Sequence, residues 1–156
     1  AGKSVLATRV ECGQMTKPHH ARQRFVLPVR VYYEDTDAAG VVYYANYLRF
    51  IERARTEWVR SLGVDQTELK AQHGIVFAVR RVEADYLAPA RFDDEIEVRT
   101  SVRAATGARI VLTQDVLRGE ERLFASVVTL VALRADGRAG RIPAALLAEI
   151  RAGIET

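Results

Sequence analysis

The sequence predicts an α+β domain in which a curved antiparallel sheet of five strands wraps around one long central helix. Three observations carry this. An early stretch alternates apolar and polar residues with a period of two, the next stretch repeats apolar residues at spacings of three and four, and further two-periodic stretches joined by tight turns follow. A strand, a long helix and then strands alone leave the helix to cover one face of an antiparallel sheet. The 156 residues suffice for one domain, expected over 25–152, with a core that needs neither disulfide nor metal.

Each element follows from local pattern. Residues 1–24 show no sustained periodicity, and Lys17-Pro18-His19-His20 is polar and interrupted by proline, which predicts a flexible arm. Met15 is the only methionine and a natural start, so 1–14 are expected to be leader or appended sequence. From Phe25, the residues Val29, Val31 and Tyr33 alternate with Arg30, Tyr32 and Glu34, which makes the first strand. After a turn at 37–40, Tyr47, Leu48, Ile51, Ala54, Trp58, Val59 and Leu62 form one face of a helix. Arg49, Arg53, Thr56 and Arg60 form the other. This helix is expected to begin between Tyr44 and Tyr47 and to end at Gly63 as its C-terminal cap. Residues 65–72 read as a short helical turn or loop, and strands follow at 75–86, 95–103 and 108–117. The nearly continuous apolar run 124–133 predicts a central strand covered on both faces, and Pro143 opens a short helix through Ile150.

Composition excludes several classes. No run of about eighteen apolar residues exists, and no secretory leader pattern opens the chain, so no membrane insertion is expected. Cys12 is the only cysteine, which removes disulfide frameworks and cysteine-based zinc sites and fits a cytoplasmic setting. The net charge of +3 and a pI near 9.2 favour anionic partners. The arginines are scattered without interleaved aromatics, so a ligand carrying a few phosphates is expected and nucleic acid is not.

The chemistry concentrates in Glu34-Asp35-Thr36-Asp37, set between a strand and a helix start. By residue type alone this is a solvated acidic turn whose Asp and Thr satisfy backbone groups. The same arrangement places a carboxylate beside the free N–H groups and positive dipole end of a helix. A base or nucleophile together with oriented donors is what hydrolysis of a carbonyl thioester requires. Free aspartate, with a pKa of about 3.9, is a weak base, and burial among Ala38, Ala39, Val41 and Val42 would strengthen it. Direct attack and water activation both stay open.

The run Val29-Arg30-Val31-Tyr32-Tyr33-Glu34-Asp35-Thr36-Asp37-Ala38-Ala39-Gly40-Val41-Val42-Tyr43-Tyr44-Ala45-Asn46-Tyr47, continued by Glu52-Arg53-Ala54-Arg55-Thr56-Glu57, resembles the signature of the 4-hydroxybenzoyl-CoA thioesterase-like hotdog family. Within that family it is most similar to the acyl-CoA thioesterase branch associated with the bacterial Tol-Pal system. Val79-Arg80-Arg81, Tyr86-Leu87-Ala88-Pro89-Ala90-Arg91-Phe92-Asp93-Asp94 and Leu112-Thr113-Gln114 extend the similarity across about 25–150. The resemblance implies a hotdog fold and a homo-oligomer built on a dimer whose sheets join edge to edge, often paired into a homotetramer. Its active sites would lie at the subunit interface. It also implies that Asp37 is catalytic, that the backbone N–H of Tyr44 polarises the thioester carbonyl, and that Glu52 lines the acyl pocket. The substrate would be an acyl-CoA, with no separate cofactor because CoA is part of the substrate, and a cell-envelope or lipid-synthesis protein is the partner expected. Several members of the branch carry His where this chain has Tyr44, so a mechanism here cannot lean on an imidazole.

The remaining polar residues read more plainly. His73, in a Gln-His-Gly turn, is expected at the surface. Arg55 projects from the apolar face of the long helix and is expected to pair with Glu52 or the acidic turn. Trp58 reads as core or interface, and Arg80 with Arg81 breaks the alternation of its strand, so at least one points outward. Two other functions compete. A hotdog hydratase would need an acid/base pair, usually with a histidine, that His73 is badly placed to supply. A non-catalytic acyl-ligand binding or scaffold protein would not need Asp37.

Overall fold

The computed structural model describes residues 24–154. Most of the expected arm at 1–24, with Met15 and Cys12, lies outside the described residues. The elements are β1 (Phe25–Arg30), α1 (Asn46–Ser61), α2 (Gln66–His73), β2 (Ile75–Tyr86), β3 (Glu95–Ala105), β4 (Arg109–Arg118), β5 (Glu121–Arg134) and α3 (Ala144–Ala152). All five strands join one antiparallel sheet in the order β1-β3-β4-β5-β2. Alternation along the central strands turns Ile96, Val98, Thr100 and Val102 of β3 inward beside Ile110, Leu112, Gln114 and Val116 of β4. α1 lies over β1, β3 and β4 and buries Tyr47, Phe50, Ile51, Ala54 and Trp58 against that row. Each large side chain so buried contributes about 1.5–3 kcal/mol, so the helix and the sheet hold one another in place. This is the hotdog arrangement, a curved sheet around a central helix.

Several boundaries differ from those expected, each for a local reason. The first strand ends at Arg30, and Tyr33–Asp35 form a 3-10 turn. The Asp35 carboxylate accepts the N–H of Tyr32 at 2.8 Å and the Thr36 hydroxyl donates to the Tyr33 carbonyl at 2.7 Å, so local side-chain bonds override the two-residue alternation. α1 begins at Asn46, inside the interval expected for its start. Its end agrees with expectation, since Gly63, at φ 81°, donates to the Arg60 carbonyl at 3.0 Å. Residues 65–72 resolve into helix α2, capped by the Asp65 side chain, which accepts from the Thr67 N–H at 2.6 Å. Pro143 is the N-cap of α3, one residue ahead of its first turn. β5 is interior to the sheet but covered on one face only. Its outward Ala125, Val127, Thr129 and Val131 are half-buried, with no helix over them.

β2 is an edge strand of 12 residues. It leaves Val76, Val79, Val82 and Tyr86 substantially exposed. A bulge between Val79 and Arg81 makes Arg80 the unpaired residue and explains the break in alternation seen in the sequence. Among the described residues, no helix is long and apolar enough to cross a membrane.

Candidate active site

Asp37 sits in a miniature hairpin closed by a bridge between Thr36 and Val42. Its N–H donates to the Val41 carbonyl at 2.9 Å and its carbonyl accepts from the Gly40 N–H at 3.0 Å. Gly40 has φ 77°, a conformation that L side chains avoid, which is why glycine ends this turn. One carboxylate oxygen of Asp37, Oδ1, accepts the Ala39 N–H at 2.8 Å, an Asx turn that fixes the side chain. Oδ2 accepts no hydrogen bond among the described residues. Asp37, Ala38 and Ala39 are all exposed and only Val42 is buried, so the apolar pocket expected around the carboxylate does not form within one protomer.

Backbone bonds tie this loop to the start of α1. The Val42 N–H donates to the Ala90 carbonyl at 2.8 Å, while the Tyr43 N–H and the Asn46 side-chain amide both donate to the Asp35 carbonyl, at 2.9 and 2.8 Å. Ala45 has helical dihedrals, so Tyr44 stands just ahead of the first turn. Among the described residues, the Tyr44 N–H donates to no protein acceptor, and its carbonyl accepts the Tyr86 hydroxyl at 2.9 Å. A free, oriented donor at a helix start is the expected carbonyl-polarising group. Behind it, Tyr47 is buried, stacks on Phe124 at 5.1 Å, and accepts the Ala90 N–H at 3.0 Å. Burial pushes the Tyr47 phenol above its ordinary range, so it stays neutral and hydrogen-bonded. Val42, Tyr44, Tyr47, Tyr86, Leu87 and Pro89 line an apolar cavity of about 270 Å³ beside the free N–H.

Glu52 is exposed and accepts the Thr56 hydroxyl at 2.8 Å. Eight residues at 1.5 Å each put it about 12 Å along the helix axis from Tyr44, so Asp37 and Tyr44 share one loop while Glu52 does not join them. Arg55 departs from expectation. No carboxylate lies within 4 Å of it among the described residues, and its Nη1 donates to Gln114 Oε1 at 3.0 Å. Burial lowers the Arg55 pKa, and the Glu52 charge partly offsets this through space. The fully buried Gln114 donates from Nε2 to the Ile51 carbonyl and to Thr100 Oγ1, both at 2.9 Å. Tyr86, which lines the cavity, and Gln114, which holds Arg55, are two residues that sequence reasoning did not single out. The signal for Gln114 is a lone amide in the otherwise apolar inward row of β4. His73 is exposed at the end of α2, Trp58 is core, and Arg80 and Arg81 are both exposed, with Arg81 paired to Glu83. No group of three or more His, Cys, Asp or Glu side chains arranged to hold a metal occurs among the described residues.

The sequence model of the thioesterase-like superfamily matches residues 31–150. The chain belongs to this superfamily. It is 42% identical over 131 residues to the acyl-CoA thioester hydrolase YbgC of Escherichia coli O6:H1, covering 81% of this chain and 96% of that protein. The crystal structure of a probable thioesterase from Bartonella henselae is 34% identical, with a TM-score of 0.74, covering 77% of this chain and 99% of that one. A mutant 4-hydroxybenzoyl CoA thioesterase complexed with 4-hydroxybenzoyl CoA shares the fold at a TM-score of 0.76 and 22% identity, covering 83% of this chain and 99% of that one. This superfamily member is therefore a hotdog thioesterase, and the loop of Asp37 and Tyr44 lies inside the matched span.

Proposed function

We propose that the chain hydrolyses acyl-CoA thioesters to a carboxylic acid and free CoA, with Asp37 catalytic and the Tyr44 N–H stabilising the charge that develops on the thioester oxygen. One observation carries this reading: a carboxylate fixed by an Asx turn and an unpaired N–H at a helix start share one short loop, beside an apolar cavity. Oδ2 of Asp37 either takes the proton of an attacking water or attacks the carbonyl carbon itself, and a second step with water then releases the acid. Either route puts negative charge on the same oxygen as the carbonyl carbon becomes tetrahedral, and a preorganised N–H there supplies about 3–4 kcal/mol. Collapse of that charge breaks the C–S bond and releases the CoA thiolate. Glu52 lies further along the same helix, where it can border the acyl group.

The exposure of Asp37 and of the inner apolar row of β2 supports a homodimer joined at that edge strand, whose partner completes the site. A dimer of dimers, a cytoplasmic location, a cell-envelope or lipid-synthesis partner, and a folding unit of 25–152 belong to the same reading. A non-catalytic acyl-ligand or scaffold role is the alternative. Thiol release from a panel of short, long and aromatic acyl-CoAs decides between them. Turnover that falls by about 100-fold or more in Asp37→Asn supports the assignment. Equal turnover in the variant refutes the role of Asp37, and no turnover of any thioester by the native chain favours the binder.

A further inference from the structure

Arg55 is a half-buried cation held by a neutral amide, with no carboxylate paired to it among the described residues. A guanidinium offers five N–H donors, and among the described residues Arg55 uses one, to Gln114 Oε1. It is half-buried yet has no carboxylate within 4 Å, and a desolvated cation left so is costly without an anionic partner. Its position is fixed rather than incidental. Gln114 is anchored by Thr100 Oγ1 and the Ile51 carbonyl, and Ser126 Oγ donates to the Gln114 backbone carbonyl at 2.6 Å. Thr100, Gln114 and Ser126 face one another across β3, β4 and β5, so a single polar row crosses an otherwise apolar inner face, directly beneath Arg55.

Direction along α1 relates this row to the reacting end. At 100° per residue, Tyr44, Leu48 and Arg55 fall within about 40° of one another on one stripe. The stripe starts where the Tyr86 hydroxyl meets the Tyr44 carbonyl. Inward positions of β2 run alongside it: Tyr86 opposite Phe124, Ala84 opposite Ser126, and Val82 opposite Val128. Leu48, Ala84 and Val82 are exposed in the protomer, which leaves room for an apolar trough from the Tyr44 N–H to Arg55. Since Nη1 is held at the level of Ile51, seven residues from Tyr44, the trough is about 10 Å long, roughly the extended length of an eight-carbon chain.

We propose that Arg55 is a specificity-determining residue that binds a carboxylate at the far end of the acyl group, so that the preferred substrates are CoA monothioesters of dicarboxylic acids about eight carbons long. The inference rests on the thioester reading for the orientation of the substrate, with the carbonyl at Tyr44. A guanidinium clamped by Gln114 offers its remaining N–H groups as a fork, the geometry that binds a carboxylate in two places. The side chains between the two ends are mostly apolar and favour methylenes, while Glu52, one turn ahead of Arg55, sets a carboxylate beside the path.

The test compares suberoyl-CoA with octanoyl-CoA, which differ only at the far end, using the native chain, Arg55→Met and Arg55→Lys. The native enzyme is expected to favour suberoyl-CoA by about 10- to 100-fold in kcat/KM, mostly through KM. Arg55→Met is expected to lower suberoyl turnover at least tenfold more than octanoyl turnover, and Arg55→Lys to restore part of the difference. Calorimetric binding of both thioesters to Asp37→Asn reads the same preference without hydrolysis, so a failure of the thioesterase reading does not hide the result. Equal use of the two substrates by the native enzyme overturns the proposal. So does a preference that survives in Arg55→Met, or an equal loss on both substrates accompanied by dissociation in light scattering, which would assign Arg55 to subunit contact.

Discussion

Replacing Gln114 with leucine keeps most of the side-chain volume and removes three hydrogen bonds in one step. The site is fully buried and the bonds measure 2.9–3.0 Å. Losing a bond to a charged donor such as Arg55 costs about 1.5–3 kcal/mol, and the neutral bond to the buried Thr100 hydroxyl about 0.5–1.5. The Ile51 carbonyl, inside a helix, keeps its backbone donor and adds little. The expected loss is about 3 kcal/mol, or a fall in Tm of roughly 10 °C for a domain of this size. Urea unfolding by circular dichroism, at one fixed protein concentration because association contributes to stability, measures it. The stronger test is a double-mutant cycle. In Gln114→Leu the Arg55 charge remains without its acceptor, whereas Arg55→Met combined with Gln114→Leu removes donor and acceptor together. The double variant should therefore recover about 1.5–3 kcal/mol relative to the sum of the single losses. Additivity within about 0.5 kcal/mol, or a loss below about 1 kcal/mol in Gln114→Leu, would refute the claim that Arg55 and Gln114 form one buried unit.

Four further outcomes are expected. Tyr44→Phe keeps the backbone N–H and Tyr44→Pro removes it, so thiol release should fall about 100- to 1000-fold further in the proline variant than in the phenylalanine one. Tyr47→Phe leaves the Ala90 N–H without its acceptor in a buried position and should cost about 1–3 kcal/mol in urea unfolding. Although burial acts to raise its pKa, Asp94 is held below the usual carboxylate range by the Arg91 N–H at 2.8 Å and Arg118 at 2.6 Å. A depressed carboxylate stabilises the fold above its unfolded pKa, about 3.9, and loses that contribution as pH falls through the folded value. Asp94→Asn should thus destabilise at pH 7 by about 1–3 kcal/mol and flatten the acid limb of a stability profile below pH 4. Val82→Lys, on the exposed inward row of β2, should shift light scattering toward the monomer and lower turnover in parallel, and an unchanged mass would argue against β2 as the joining edge.

Long-range periodicity made most of the fold legible. The α1 stripe from Tyr47 to Leu62, the strict alternation of β3 and the glycine at 63 each carry one physical signal, and the structure follows them except at Leu48, which is exposed. Where short-range bonds compete, the pattern misleads. Val31, Tyr32 and Tyr33 continue the alternation of β1, but the Asp35 carboxylate and Thr36 hydroxyl bind nearby backbone groups and curl the chain. Apolarity alone also overstated the cover on β5, because a sheet face that nothing packs on within the protomer carries the same valines as one that a helix covers. At the site, residue type and order pointed to Asp37 and to an N–H near Tyr44, since both belong to one loop. Arg55 was misread because its partner is 59 residues away on β4 and carries no charge. Charge pairing searched along one helix finds Glu52 and misses an amide across the core.

The same distinction separates what one protomer settles around Asp37 from what the proposed dimer would supply. Everything local is finished: Oδ1 of Asp37 is pinned, Gly40 closes its turn, and Asn46 bonds the acidic turn to the head of α1. What is unfinished lies along one line, from exposed Asp37 and Tyr44 past Leu48 and Val82 to the long unpaired edge of β2. An edge strand of twelve residues in water invites pairing, and the charges that commonly blunt such edges fall here on the outward Arg81, Glu83 and Asp85 and on Arg80 at the bulge. The inward row is left apolar where the trough runs. A second copy seated on that edge would remove water from Asp37 and from Arg55 together. It would thereby strengthen the base at one end of the acyl group and the pull of the Arg55 charge on an anion at the other. Catalysis and acyl selectivity would then depend on the same contact, and losing the dimer should weaken both at once.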